Sequence, residues 1–443
     1  MVNAGEGSAL DRTVADLEAG LRGHVDAGEV LGLTWLVGSG GDVRAGAMGH
    51  GDAAGSQPVA TDTIFRISSM SKPLTATAAL MLVEGGTIGL DDPVDGWVPE
   101  LAGRRVLSHP TAAVDDTAPA ERSITGRRPV DVPPRPRRRP ERLQPKPIDE
   151  AIANLEIGAG PPAPALPPEP DEWIRRLGTV PLQCQPGERW LYHTGADILG
   201  VLIARAASQP LDEFLDERLF GPLGMTDTDF FVPAAKLDRF GALFTADPAS
   251  SERTVYDPRD GQWSRKPAFL GGGAGLVSTV GDFHRFADML RSGGSSEGGR
   301  VLSEASVRTM TTNQLTEMQL SRGGPDRAGA IGWGFGVGVQ LCADGVTSAG
   351  TYGWDGGLGT IWRNDPGRDV IGILLTNQTW TSPVPPPVCD TFWSVLRGLG
   401  DPAGPGNRCG QAPQARATRN SRLQLPSSKP ARDLCAIWTT MAG

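Results

Sequence analysis

Several chemistries are excluded by what this chain of 443 residues has little of. Its five cysteines, Cys184, Cys342, Cys389, Cys409 and Cys435, are scattered and form no Cys-x-x-Cys pair. Neither a disulfide framework nor a zinc site is expected from them. The five histidines, His24, His50, His109, His193 and His284, are equally dispersed, with no His-Glu-x-x-His spacing for a metal. No apolar run approaches the ~20 residues that span a bilayer. Positive charge is not in excess either: the net charge of −9 argues against nucleic acid or an anionic membrane as a partner. There is no phosphate loop ending in Gly-Lys-Ser/Thr, and no strand–Gly-x-Gly-x-x-Gly–helix unit, so no nucleotide and no other cofactor is expected. No Gly-x-Ser-x-Gly elbow frames a nucleophile. The first residues, Met1 to Glu6, carry no basic patch and no apolar core, which points to a cytoplasmic location.

What remains is an ordinary globular composition, 39% hydrophobic and 21% charged, in a chain long enough for a sizeable core. Residues 9–27 place Leu10, Val14, Leu17, Leu21 and Val25 on one stripe and read as an amphipathic helix. Leu31–Val37 and Val43–Gly49 read as strands joined by a glycine-rich turn at Gly38–Asp42. Further helices are expected over 171–180, 196–220, 280–292, 303–314 and 386–399. Further strands are expected over 334–341, 360–363 and 370–376, the last an almost unbroken apolar run suited to a central strand. Strands thus lie toward both ends and helices in the middle. This predicts an α/β (α+β) fold: one sheet flanked by helices, with an inserted helical subdomain. A single domain over 9–400 follows, its sheet part in about 9–95 and 330–400 and its helical part in about 96–329.

The most telling stretch is Ser69-Met70-Ser71-Lys72. It follows the apolar run Ile64-Phe65-Arg66-Ile67 and precedes Pro73-Leu74-Thr75-Ala76-Thr77-Ala78-Ala79-Leu80-Met81-Leu82, a buried helix by its spacing. Pro73 falls in the first turn, where its missing N–H costs nothing, and Gly85-Gly86 ends the helix. A serine opening a helix sits in the positive field of the N-terminus. A lysine three residues later shares its face. Held inside a core, that amine is disfavoured in its charged form and can act as a base toward a weak hydroxyl nucleophile. By itself Ser-x-x-Lys is a common solvated helix start, and the flanking residues decide between the two readings.

Phe65-Arg66-Ile67-Ser68-Ser69-Met70-Ser71-Lys72-Pro73-Leu74-Thr75-Ala76 resembles the nucleophile segment of the serine β-lactamase and penicillin-binding-protein superfamily. It is most similar to the β-lactamase-related esterases, the family VIII carboxylesterases. Further stretches agree over roughly residues 10–122 and 148–394: Phe220 to Thr228, Gly275 to Thr279 and Thr376-Asn377-Gln378. The resemblance implies a β-lactamase-like antiparallel sheet built from both chain ends, with the site between sheet and helical part. It implies that Ser69, Lys72 and Tyr192 are catalytic. Tyr192, in Tyr192-His193-Thr194, occupies the place of the superfamily's Tyr-x-Asn and would exchange protons with nucleophile and leaving group. Thr194 replaces the asparagine; a hydroxyl offers no amide fork for a substrate. Trp354-Asp355-Gly356 matches the Trp-x-Gly of the esterase branch, which stands where β-lactamases carry Lys-Thr-Gly. By that match Thr194, Trp354, Asp355 and Gly356 contact substrate, and the N–H groups of Ser69 and Gly357 form the oxyanion hole. A cation at this place binds the carboxylate of most β-lactam antibiotics. Trp354 offers an apolar wall and an indole donor instead, so neutral esters are expected to be preferred over penicillins.

The resemblance therefore implies a serine hydrolase acting on a small-molecule ester or amide. A β-lactamase, a D-amino-acid peptidase, an acyltransferase and a non-catalytic protein of the same fold are the alternatives. Neither the natural substrate nor the oligomeric state follows from the sequence. Two stretches depart from the family. Residues 126–147 are rich in proline and arginine and can form neither helix nor central strand. A partner-binding tract or a disordered insert would have this composition. A reading-frame slip between Thr125 and about Pro147 fits better, because relatives continue there with a helix. Residues 401–443 carry no periodicity and read as a disordered tail, with a second slip near Leu396 as the alternative.

Overall fold

Gly40-Gly41 turns the chain between strands β1 (Gly32–Ser39) and β2 (Asp42–Gly49). Their φ angles of +60° and +89° belong to a two-residue hairpin turn, a conformation that L side chains rarely adopt. In this computed structural model, residues 8–125, 146–158, 160–247, 250, 252–326 and 329–400 are described. Most of the proline- and arginine-rich stretch and the whole of 401–443 lie outside the described residues.

Five further strands come from the far end of the described chain: β3 (Ile331–Trp333), β4 (Gly338–Gln340), β5 (Tyr352–Gly356), β6 (Thr360–Asp365) and β7 (Val370–Thr376). They join the first hairpin in one seven-stranded sheet of order β3-β4-β5-β6-β7-β1-β2. Every pairing in it is antiparallel. All of β7 is buried, which accounts for its unbroken apolar run: it lies between two strands and under helices on both faces.

Five helices frame the sheet and the site: α1 (Ala9–Asp26), α2 (Ser71–Glu84), α3 (Thr194–Ala207), α4 (Val280–Arg291) and α5 (Pro387–Leu396). Side chains alternate across a strand, so neighbouring residues serve opposite faces. Leu33, Trp35, Val37, Ile361 and Leu374 face α1 and α5, packing on Leu17, Leu21 and Phe392. Leu36, Trp362, Ile371 and Ile373 face the other way, toward α2 and α4, with Phe283 and Phe286. Ser71 to Leu82 of α2 are all buried, because α2 lies between this face and the helical part that includes α3. The mixed helix-and-sheet fold expected from the sequence is the one observed.

Three expectations need correction. The helix expected over 196–220 is two segments. Ser208, at φ +53°, ends α3, and Pro210 starts a second run at Leu211–Leu215 that continues through a π turn at Asp216–Phe220. The strand expected over 334–341 is a turn followed by β4. A Cβ on Gly334 would stand 2.0 Å from the Met310 carbonyl oxygen, and Gly336 has φ +76°. Cys342 is disulfide-bonded, a pairing that scattered cysteines do not announce. Among the described residues no helix is long and apolar enough to cross a membrane.

Candidate active site

Ser69 lies in a short turn, Ser68–Met70, that leads into α2. The turn is strained, with Ser68 at φ +46°, and is held from several sides. The Ile67 N–H donates to the Leu276 carbonyl at 3.0 Å, and the Thr360 hydroxyl of β6 donates to the Ile67 carbonyl at 3.1 Å. The Ser71 hydroxyl donates to the Ser68 carbonyl at 2.6 Å and accepts the Leu276 N–H at 3.1 Å. Just upstream, the buried Arg66 guanidinium makes an ion pair with buried Asp257 at 2.6 Å. It also donates to the carbonyls of Gly241 and Pro258, each at 3.0 Å, and lies 3.9 Å from the centre of the Phe240 ring.

Lys72 stands one helical turn beyond Ser69, with 1% of its surface exposed. Its Nζ donates to Ser69 Oγ at 2.9 Å and to the carbonyl of Gly273. Burial pulls its amine down to about 7, with the Asp197 carboxylate opposing. Tyr192, in the loop before α3, donates its phenolic proton to Ser69 Oγ at 2.7 Å. Its ring centre is 4.8 Å from Lys72 Nζ. The Trp354 indole donates to Tyr192 Oη at 3.0 Å. Trp354 also meets buried Trp333 edge-on at 4.4 Å, and buried Trp190 lies 5.6 Å from Trp333, so an aromatic cluster backs Trp354 and Tyr192.

The structure therefore brings Ser69, Lys72, Tyr192 and Trp354 together. Thr194 is buried at the first position of α3, two residues past Tyr192. His193, between them, has the strained angles φ +118° and ψ −67°. Burial first, and Lys72 second, push its imidazole down to about 3, so it is neutral at neutral pH. Gly356 ends β5 hard against the nucleophile turn: a Cβ there would stand 2.3 Å from the Ile67 carbonyl oxygen. Gly357 follows it, its carbonyl accepting the Trp380 N–H at 2.9 Å.

Asp355 does not join them, contrary to the expectation that it contacts substrate. It alternates with Trp354 along β5 and so points to the opposite face of the sheet. There it pairs with Arg363, the closer contact at 2.5 Å. Asp197 and Gly273, neither of them singled out from the sequence as a site residue, complete the surroundings of Lys72. Asp197 accepts the N–H of Gly273 at 2.9 Å, and the Gly273 carbonyl receives Lys72. The visible signal for Asp197 is a lone carboxylate among the apolar residues Gly195 to Ile203. Among the described residues no group of His, Cys, Asp and Glu is placed to hold a metal ion. A hydroxyl in contact with a buried amine and a phenol can pass on its proton while it attacks a carbonyl.

The family model described as Beta-lactamase matches residues 11–128 and 139–385. The match breaks within the proline- and arginine-rich stretch. Protein Rv1367c of Mycobacterium tuberculosis is 34% identical over 385 residues, covering 81% of this chain and 88% of that protein. The lovastatin esterase of Penicillium rubens is 30% identical over 268 residues, covering 58% of this chain and 62% of that protein. Among solved structures, EstCE1, a hydrolase with promiscuous acyltransferase activity, aligns with a TM-score of 0.70 at 23% identity. That alignment covers 88% of this chain and all of EstCE1, a likeness of fold. By the extent of the family match and by the identity to Rv1367c along most of both chains, this chain belongs to the Beta-lactamase family.

Proposed function

We propose that the protein is a serine hydrolase that cleaves carboxylic esters through an acyl-enzyme on Ser69. One observation carries this reading: Ser69 Oγ lies 2.9 Å from the Lys72 amine and 2.7 Å from the Tyr192 phenol. Ser69 Oγ attacks the ester carbonyl as its proton passes to neutral Lys72, with Tyr192 in the same hydrogen-bonded set. The negative charge that develops on the carbonyl oxygen is held by the N–H groups of Ser69 and Gly357. The C–O bond to the alcohol breaks, and the alcohol leaves with a proton delivered through Tyr192. Water then attacks the acyl carbonyl, the same groups move its proton, and the acid departs with Ser69 restored.

Esters are favoured over β-lactams because neutral Trp354, backed by buried Trp333 and Trp190, stands where a cation would hold a carboxylate and suits an uncharged acyl or alcohol group. Likeness to a lovastatin esterase supports the same substrate class.

The test is hydrolysis of short-chain p-nitrophenyl esters. A burst followed by slower turnover is expected, and Ser69→Ala should lower kcat/KM by about 10,000-fold or more. A fluorophosphonate should label the protein only when Ser69 is present. Nitrocefin turnover as fast as ester turnover would contradict the preference. A folded wild type that neither hydrolyses esters nor takes the label would contradict the reading as a whole.

A further inference from the structure

Asp197 has no part in the chemistry assigned so far, yet it is built into the support of Lys72. It lies in the first turn of α3, and its Oδ1 accepts the Gly273 N–H at 2.9 Å. The carbonyl of that same glycine receives the Lys72 ammonium. The glycine-rich segment is shaped for this approach. A Cβ on Gly272 would stand 2.6 Å from the Ala196 carbonyl oxygen, and one on Gly273 would stand 3.0 Å from Asp197 Oδ1.

We propose that Asp197 is a positioning residue for Lys72: it holds the Gly273 carbonyl against the amine and supplies the counter-charge that sets how much of Lys72 is neutral. The proposal rests on Lys72 being the base for Ser69. The titratable groups that face Lys72 are Tyr192 and His193, from the loop before α3, and Asp197 from α3 itself. The imidazole is neutral, so the carboxylate is the charge that opposes burial of the amine. Burial and Lys72 act on Asp197 in turn, burial pushing its carboxyl up and the amine lowering it.

The sign of the effect follows. Asp197→Asn keeps an acceptor for Gly273 and removes the charge. The Lys72 amine then loses its proton more readily, and the acidic limb of kcat/KM moves about one pH unit lower. At pH 6 the variant should retain about fivefold more of its own plateau rate than wild type does. Asp197→Ala removes the acceptor too and should also lower the plateau, by about tenfold.

The experiment is the pH profile of p-nitrophenyl butyrate hydrolysis for wild type and both variants, with thermal unfolding as the check on folding. An acidic limb for Asp197→Asn that superimposes on wild type, while Ser69→Ala is inactive, overturns the role of Asp197 alone. Full activity in Ser69→Ala overturns the underlying reading instead. A second measurement needs no Asp197 variant: the 13C signal of Lys72 Cε in the unmutated protein, assigned by its loss in Lys72→Arg. Two titration steps are expected as Asp197 and Lys72 ionise in turn, and a single step between pH 4 and 9 would overturn the proposal.

Discussion

Trp354 donates its indole N–H to the Tyr192 oxygen, so its first effect is on the phenol that touches Ser69. Trp354→Phe keeps the wall and removes the donor. Its expected outcome is a drop in kcat of about tenfold with KM little changed, the loss of one hydrogen bond of about 1.4 kcal/mol. A raised KM with unchanged kcat would place Trp354 against substrate alone. Lys72 makes a second prediction. Its amine, lowered to about 7, is the neutral base above that pH and a cation below it. The value of kcat/KM should therefore fall as pH drops through about 7, which a rate profile from pH 5 to 9 checks. Ser69 and Lys72 could be picked out by residue type and local context, and Tyr192 by its resemblance to a family motif. Asp355 could not be placed, because the parity of one strand decides which of two neighbours faces the site. Asp197 could not be picked out either, because its partner is a backbone N–H 76 positions along the chain.

The nucleophile turn works because other elements clamp it. Gly356→Ala would set a methyl group 2.3 Å from both the Ile67 carbonyl oxygen and the Thr360 hydroxyl. A shift of the turn by even ~1 Å is expected to lower kcat/KM by about 100-fold, with the far-UV circular dichroism unchanged. Arg66 anchors the strand that feeds the turn. Arg66→Ala leaves Asp257 buried without its partner and should cost about 3–5 kcal/mol in urea unfolding. Elements with a strong local signal were legible in the sequence, as the apolar stripe of α1 and the unbroken apolar run of β7 show. Boundaries set by contacts were not. The segment at 334 carries strand-like residues, but Met310 approaches its backbone too closely for a Cβ, and a turn results.

The seven-stranded sheet ties the two ends of the described chain together, since β1 pairs with β7 across more than 300 positions. Its two faces do different things. Helices α1 and α5 close one face with a packed apolar layer, while the other carries α2, α4 and the site. Phe392→Ala, in the closed layer, should cost about 3–5 kcal/mol of stability. The activity of the folded protein should remain near wild type, because the cavity opens on the face away from Ser69. Thermal unfolding followed by an ester assay well below the transition checks both halves of this expectation.

The residues alone were enough to indicate the kind of fold, the order of most of its elements, and a serine and a lysine to look at, while the tyrosine came from the family resemblance. Each of those but the tyrosine is announced locally, by apolar periodicity, by glycine at turns, or by a polar pair three positions apart at the start of a buried helix. Only folding decided that the phenol from the loop before α3 and the indole from β5 meet that pair, that Asp355 turns away, and that Asp197 stands behind the amine through Gly273. Those outcomes depend on strand parity, on close backbone approach and on burial, which are properties of how distant segments are pressed together rather than of any one segment.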